Sequence, residues 1–343
     1  MSAAAAPLRV GLIGAGRIGR LHAEVLTQRI DGASLACVYD VTPSAAHELA
    51  ARCGSVAVAS VEELLAADCS AVAICSASDS HVALIEAAAG AGKAIFCEKP
   101  VALQLPELDR ALEAVREAQV PFAVGFNRRH DPAHAAVAAA VAEGRVGEPH
   151  LVRISSRDPE PPPLSYVEVS GGIFLDMTIH DFDMARFVTG SEVVDVFARG
   201  SVRVDPEFAR AGDVDTAVVS LVHESGCLTM IDNSRRAVYG YDQRVEVFGA
   251  GGVACSENPL AHSAFTLTAD GLAGAPLPHF FVERYQASYE RQWRSFRDSV
   301  EGGGWKARAE SVLRDARAPL EIGLAAWHSV REQRPVAVEE ILS

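Results

Sequence analysis

The sequence predicts an α/β first domain built on a parallel sheet, followed by an α+β domain with an antiparallel sheet. Three observations carry this. In the first third, short apolar runs alternate with helical stretches. After about residue 125 the rhythm changes to longer strand-like segments joined by short turns. At 343 residues the chain exceeds one ordinary core, so two domains are expected. The expected domains are 1–125 and 126–343, with the closing helices able to pack back on the first.

Residues 8–13, 35–39, 71–75, 94–97 and 122–124 read as buried strands. Between them, 17–27, 44–52, 61–66, 80–91 and 105–118 read as helices. Strands separated by helices of this length imply a parallel sheet covered on both faces. Beyond lie a helix at 133–143, a strand at 149–156, a proline-rich loop at 159–163 and one strong helix at 174–188. Gly190 follows that helix as a C-terminal glycine should. Strands are then expected at 193–204, 216–222, 227–233, 244–248 and 265–268, with a hairpin turn at Glu224-Ser225-Gly226. Consecutive strands with short turns imply antiparallel pairing. Helices at 285–301 and 311–332 close the chain.

Half of the residues are apolar (49%), 22% are charged, and the net charge is −14. An acidic chain lacks the basic face that nucleic acid or an anionic membrane requires. Residues 1–7 are alanine-rich without a positive segment and do not read as a signal peptide. No run reaches the ~18–20 apolar residues of a membrane span. The seven cysteines are scattered and none sits at C-x-x-C spacing. Reduced thiols in a cytoplasm are expected, with neither a disulfide framework nor a zinc site.

The first strand runs into Gly14-Ala15-Gly16-Arg17-Ile18-Gly19, a G-x-G-x-x-G turn opening a helix. Gly14 permits the tight turn, Gly16 lets the backbone approach a pyrophosphate, and Gly19 lets helix and strand pack closely. The helix N-terminus, with Arg17 and Ile18 in its first turn, offers N–H groups to phosphate. Asp40 closes the next strand, 21 residues past Gly19. A carboxylate there binds the ribose hydroxyls and repels a 2′-phosphate, which favours NAD over NADP. Its blander role is to cap the turn that follows. Ser76, Ser78 and His81 follow another strand, where ligands bind in such sheets. The two serines are equally suited to capping a helix, and His81 to a plain surface position. Together these features describe a Rossmann-type NAD-binding domain.

Glu98-Lys99-Pro100 also lies at the carboxyl edge of the sheet. Pro100 makes Lys99 extended or allows a cis bond, and either directs the lysine side chain. In the helix expected at 174–188, Asp176 and His180 are four residues apart and share a face with Ile173 and Met177. An acid and a histidine set into an apolar stripe read as a buried Asp–His pair, structural or catalytic. No third ligand is evident for a metal. Removing a hydroxyl proton during hydride transfer needs a base, and histidine titrates in the right range. Asp176 would then orient His180, and Lys99 would stabilise the developing alkoxide.

On these residues the sequence resembles the Gfo/Idh/MocA oxidoreductases over essentially its whole length. The landmarks are the glycine turn, Glu98-Lys99-Pro100, residues 125–132, the 171–183 segment and the 232–242 segment. The last two are similar to the inositol-oxidising branch. The resemblance implies an open antiparallel sheet whose outer face packs on another subunit, giving a homotetramer or a dimer. It implies that Lys99, Asp176 and His180 are catalytic, and that Arg128 and Tyr241 contact the polyol with Asp158 nearby. Ser156 and Asp158 depart from the histidine and asparagine of some relatives. Tyr239 and Tyr241 alternate along an expected strand, one packing and one facing the cleft. The implied activity is NAD-dependent oxidation of myo-inositol to scyllo-inosose in inositol catabolism. Another isomer or an aldose, a non-catalytic NAD-binding sugar sensor, and a lyase or glycosidase that keeps its NAD are the competing readings.

Overall fold

The structure is a computed structural model and describes residues 7–342. The alanine-rich start read above lies, for residues 1–6, outside them. The chain divides into two compact units. One runs to Asn127 and takes in Ala287–Leu320; the other holds Arg128–Gln286 and the residues from Glu321 on.

The first unit is built on β1 (Leu8–Ile13), β2 (Ala33–Tyr39), β3 (Val56–Ala57), β4 (Ala71–Ile74), β5 (Ala94–Cys97) and β6 (Phe122–Val124). They form one sheet in the order β3-β2-β1-β4-β5-β6, and every pair is parallel. β3 was not expected, because two residues make no apolar run. Every residue of β4 and β5 is buried, as helices on both faces of a sheet require. The strand order reverses between β1 and β4. In sheets of this kind that switch point, at the carboxyl ends of the strands, is where ligands bind. Helices Arg17–Gln28, Pro43–Cys53, Val61–Ala66, His81–Gly90 and Leu105–Ala118 complete the alternation.

The second unit holds β7 (Pro149–Arg157), β8 (Val193–Ser201), β9 (Thr216–His223), β10 (Leu228–Ser234), β11 (Asp242–Gly249) and β12 (Gly252–Ser256). A small hairpin, β13 (Phe265–Thr268) and β14 (Gly271–Gly274), follows, and β15 (Val336–Ala337) comes last. The large sheet runs β12-β11-β7-β10-β9-β8-β15. Its pairs are antiparallel except β7 with β10, which run parallel from Leu151↔Leu228 to Arg157↔Ser234. The expected antiparallel sheet is present and contains this one parallel pair. Hairpins dictate direction only for strands they join, and β7 is joined to neither of its neighbours by one. The β9–β10 hairpin turns at 224–226 as expected, where Gly226 has φ +84°. One face of the sheet buries Val152, Ile154, Val219, Ile231 and Val247 with Phe174 and Phe182. The other leaves Val218, Leu228, Met230 and Phe248 about half exposed. Among the described residues no helix is long and apolar enough to cross a membrane.

Two further expectations are corrected. The single helix at 174–188 is two, Gly172–Asp176 and Ile179–Thr189. The Thr178 N–H bonds the Ile173 carbonyl five residues back at 2.9 Å, and the Met177 N–H shares that acceptor at 3.0 Å. This is a local widening of the π type. Residues 239–241 are not strand but a turn ahead of β11, with Tyr239 exposed and Tyr241 buried.

Candidate functional site

The glycine turn of the first unit is shaped as its sequence implies. Gly14 has φ +99°, and a Cβ there would lie 2.6 Å from the Cys75 backbone. A Cβ on Gly19 would lie 1.9 Å from the Gly14 carbonyl oxygen, so only glycine lets the helix sit against the turn. Gly16, at the helix N-cap, differs: among the described residues nothing lies within 4 Å of its Cβ position. Two glycines admit the protein's own backbone and the middle one leaves open space before a helix N-terminus. That fits a dinucleotide pyrophosphate. Arg17 is exposed and Ile18 half-buried in the first turn.

Asp40 sits at the end of β2. Its Oδ2 accepts from the Ala15 N–H at 2.6 Å and its Oδ1 from the Thr42 N–H at 2.7 Å. The carboxylate thus braces the glycine turn and also caps the turn after β2. Ser76 and Ser80 share a 2.6 Å hydroxyl contact, and the Ser80 hydroxyl donates to the Ala77 carbonyl. Ser78–Ser80 is a 3₁₀ turn, and Ser80 stands at the N-cap of the following helix without a side-chain cap bond. His81 is no surface residue: it is 1% exposed, with Nδ1 2.8 Å from the Pro100 carbonyl and Nε2 3.1 Å from the Ser76 carbonyl. Burial pushes its pKa down. Lys99–Pro100 is a cis peptide, and Lys99 is half-buried. Glu98 turns inward; its Oε1 meets His22 Nε2 at 2.8 Å and its Oε2 accepts the Lys99 N–H at 3.2 Å.

The second unit holds Asp176, His180, Arg128, Asp158 and Tyr241, and neighbours the sequence did not single out. Asp176 Oδ1 accepts from the Tyr166 hydroxyl and Oδ2 from Arg235 Nη1, both at 2.8 Å. Asp158 lies 4.0 Å from the same Arg235 nitrogen. Burial works against the Arg235 charge, and Asp176 and Asp158 hold it above its ordinary range. The helix break at Met177-Thr178 removes the simple four-residue spacing by which Asp176 and His180 were to share a face. His180 lies in the first turn of the second helix, half-buried, its N–H on the Met177 carbonyl at 3.3 Å. Tyr166 left no signal in the sequence. Arg235 stood inside the 232–242 segment without a role.

A second polar chain lies beneath. Arg128 donates to Asp181 at 2.6 Å and to Ser156 at 3.2 Å. Asn233 donates to Asp181 at 2.8 Å and accepts from Thr178 at 2.7 Å. Ser156 is fully buried and donates to Gln243 at 2.8 Å, so here it ties down Arg128. Burial opposes the Arg128 charge, but Tyr285 and Asp181 hold it above its usual range. Tyr241 is buried against the rings of Tyr285 (6.0 Å) and Phe280 (6.4 Å), and burial pushes its phenol well up. Among the described residues no group of three His, Cys, Asp or Glu is placed to hold a metal ion.

Comparison with known proteins gives two family matches. A family model described as the oxidoreductase family, NAD-binding Rossmann fold, matches residues 8–126. One described as the GFO/IDH/MocA C-terminal domain matches residues 134–255. A Thermotoga maritima protein named myo-inositol 2-dehydrogenase is 46% identical over 98% of this chain and 100% of its own. An inositol 2-dehydrogenase of Rhizobium meliloti is 44% identical over 96% of this chain and 99% of its own. A structure of scyllo-inositol dehydrogenase from Lactobacillus casei, with NAD(H) and scyllo-inositol bound, superposes with TM-score 0.88. It is 27% identical, over 97% of this chain and 99% of that one.

Proposed function

We propose, for a chain that belongs to the GFO/IDH/MocA oxidoreductase family, that it oxidises myo-inositol to scyllo-inosose with NAD. The observation that carries this reading is the full-length likeness to the Thermotoga maritima protein of that name. The buried polar cluster around Asp176 and Arg128 adds support, since a polyol is recognised by many polar groups at once.

Gly14, Gly16, Gly19 and the helix N-terminus would hold the pyrophosphate, and Asp40 the adenosine ribose. When bound, NAD supplies the acceptor for the carbinol hydride. His180 takes the hydroxyl proton, because a neutral imidazole is the base available near pH 7. Lys99 donates to the same oxygen as negative charge develops on it. Asp176, held by Tyr166 and Arg235, is a fixed acceptor that orients a hydroxyl or the imidazole. Ser76, Ser78, His81 and Glu98 shape the cofactor side, and Arg128, Asp158 and Tyr241 the polyol side.

The test is a panel of myo-, scyllo- and chiro-inositol and aldoses with NAD and NADP, read by absorbance of the reduced nicotinamide. Myo-inositol with NAD is expected to give the highest kcat/KM. Lys99→Met and His180→Ala are each expected to lose at least ~100-fold in kcat while binding NAD normally. Wild-type-like turnover in either variant sinks its assigned role. Equal efficiency with NADP removes the argument from Asp40. Absence of net NADH with every polyol favours a sensor or a lyase.

A further inference from the structure

The assignment of Lys99 leaves unexplained a row of buried polar groups behind it. His22 is fully buried in the helix that opens at the glycine turn, Arg17–Gln28. Its Nδ1 accepts from the Trp293 indole N–H at 2.9 Å. An indole nitrogen only donates, so this bond places the proton of the neutral imidazole on Nε2. That Nε2–H points at Glu98 Oε1, 2.8 Å away. The other carboxylate oxygen accepts the backbone N–H of Lys99 at 3.2 Å. One unbroken chain therefore runs Trp293, His22, Glu98, Lys99, with each donor and acceptor determined by the one before.

The surroundings fit closely around the His22–Glu98 pair. A Cβ on Gly125 would stand 2.7 Å from the Glu98 carboxyl group, so the end of β6 is shaped around it. The His22 ring is boxed by Phe96 at 5.0 Å and Tyr289 at 5.5 Å, and Phe96 stacks on Trp293 at 4.6 Å. On the far side of the lysine, His81 approaches the Pro100 carbonyl at 2.8 Å. The Lys99–Pro100 segment is thus held at the Lys99 N–H by Glu98, itself bonded to His22, and at the Pro100 carbonyl by His81. For packing alone a leucine or phenylalanine would do as well as His22, without the desolvation cost of a buried polar pair. A polar chain that terminates on one backbone N–H gives direction instead.

We propose that His22 is a positioning residue for Lys99: through Glu98 it holds the lysine's backbone in the orientation the reaction requires. This rests on the reading of Lys99 as the group that stabilises the reacting oxygen. His22 touches neither the polyol nor the reacting atoms in this account. Its removal lowers kcat and leaves NAD affinity nearly alone.

The experiment compares His22→Phe, which keeps a buried ring without hydrogen bonds, with His22→Gln, whose amide accepts from Trp293 and donates to Glu98. His22→Phe is expected to lower kcat roughly 30-fold, since misplacement of a catalytic group by about 1 Å costs ~10²-fold. NAD affinity, measured by binding, is expected to change by less than about 3-fold, and His22→Gln to recover most of the loss. In single turnovers on a Lys99→Met background, His22→Phe is expected to add nothing, because residues acting as one unit are non-additive. Wild-type kcat in His22→Phe overturns the proposal. So does an undiminished His22→Phe effect on the Lys99→Met background, which leaves the role of Lys99 standing. Full turnover by Lys99→Met alone instead overturns the reading of Lys99, and the two failures are thereby separated. Should His22→Phe fail to fold, Trp293→Phe removes the indole donor but keeps the stack on Phe96; a kcat loss of about 3-fold or more is then expected, and none overturns the proposal.

Discussion

The glycine turn and the Asp176–His180 segment are both short, and both carry functional assignments, but they are held in opposite ways. Gly14–Gly19 is shaped by backbone against backbone within one strand–turn–helix unit. Thr178, Asp176 and Asp181 are held by side chains 52 to 59 residues away, Asn233 and Arg235 of β10 and the loop after it. The first arrangement depends on three glycines in a row of six. The second depends on β10 pairing parallel to β7, which brings Asn233 beside Ser156.

The sharpest way to break this comparison is Gly19→Ala. Its methyl group would meet the Gly14 carbonyl oxygen 1.9 Å away, so the turn must open. NAD affinity is expected to fall by at least ~100-fold, about 2.8 kcal/mol, in a binding titration. An unchanged affinity would show that the turn is not the phosphate site. Next in size is Asn233→Leu, which strips buried partners from Thr178 and Asp181. Each lost partner costs ~1–3 kcal/mol, so the denaturation midpoint and kcat both fall. NAD affinity should stay as it is, and a parallel loss of NAD binding would deny that the two assemblies are separate. Gly16→Ala has a smaller effect: with open space around the new methyl group, stability holds while NAD binds roughly 10-fold more weakly. A stability loss equal to that of Gly19→Ala would contradict the distinction between these glycines.

The smallest effect is a pH dependence in the second unit. Burial, with Arg284 and Arg128 near, pushes the His134 pKa down to about 4 against the pull of Asp131. Burial and Arg129 likewise bring His130 to about 4. An unfolded histidine titrates near ~6.5. Above that pH both states are neutral and the full stability is present. As pH falls from there toward 4 the unfolded chain binds the proton first, and stability declines. Urea midpoints measured between pH 7 and 5 should show this decline, and His134→Gln should flatten it. An unflattened slope would mean that His134 is already protonated in the folded protein.

Much of the first unit was legible because its signals are local. Apolar runs, helix lengths, the glycine spacing and Asp40 all act within one strand–helix–strand stretch. β3 escaped because two residues joined only to β2 leave no pattern. In the second unit β7 to β11 and β13 were legible, β12, β14 and β15 were not, and directions were legible only in part, since nothing near β7 records its parallel neighbour. Asp176 and His180 stood out as an acid and a histidine four residues apart in an apolar stripe. The break between them did not, because the Thr178 hydroxyl that reaches across it is answered by Asn233, and Asp176 itself by Arg235 and Tyr166. Glu98 was legible only as a member of the Glu98-Lys99-Pro100 segment, and its burial beside His22 was not.

The amino-acid sequence by itself determined that this protein carries a dinucleotide-binding turn on a parallel sheet, because chain sterics within a dozen residues dictate that geometry. Only the tertiary structure decided which groups surround Asp176, Arg128 and Glu98. A buried polar side chain takes whatever donor or acceptor the distant chain brings within about 3 Å, and no local pattern specifies that partner.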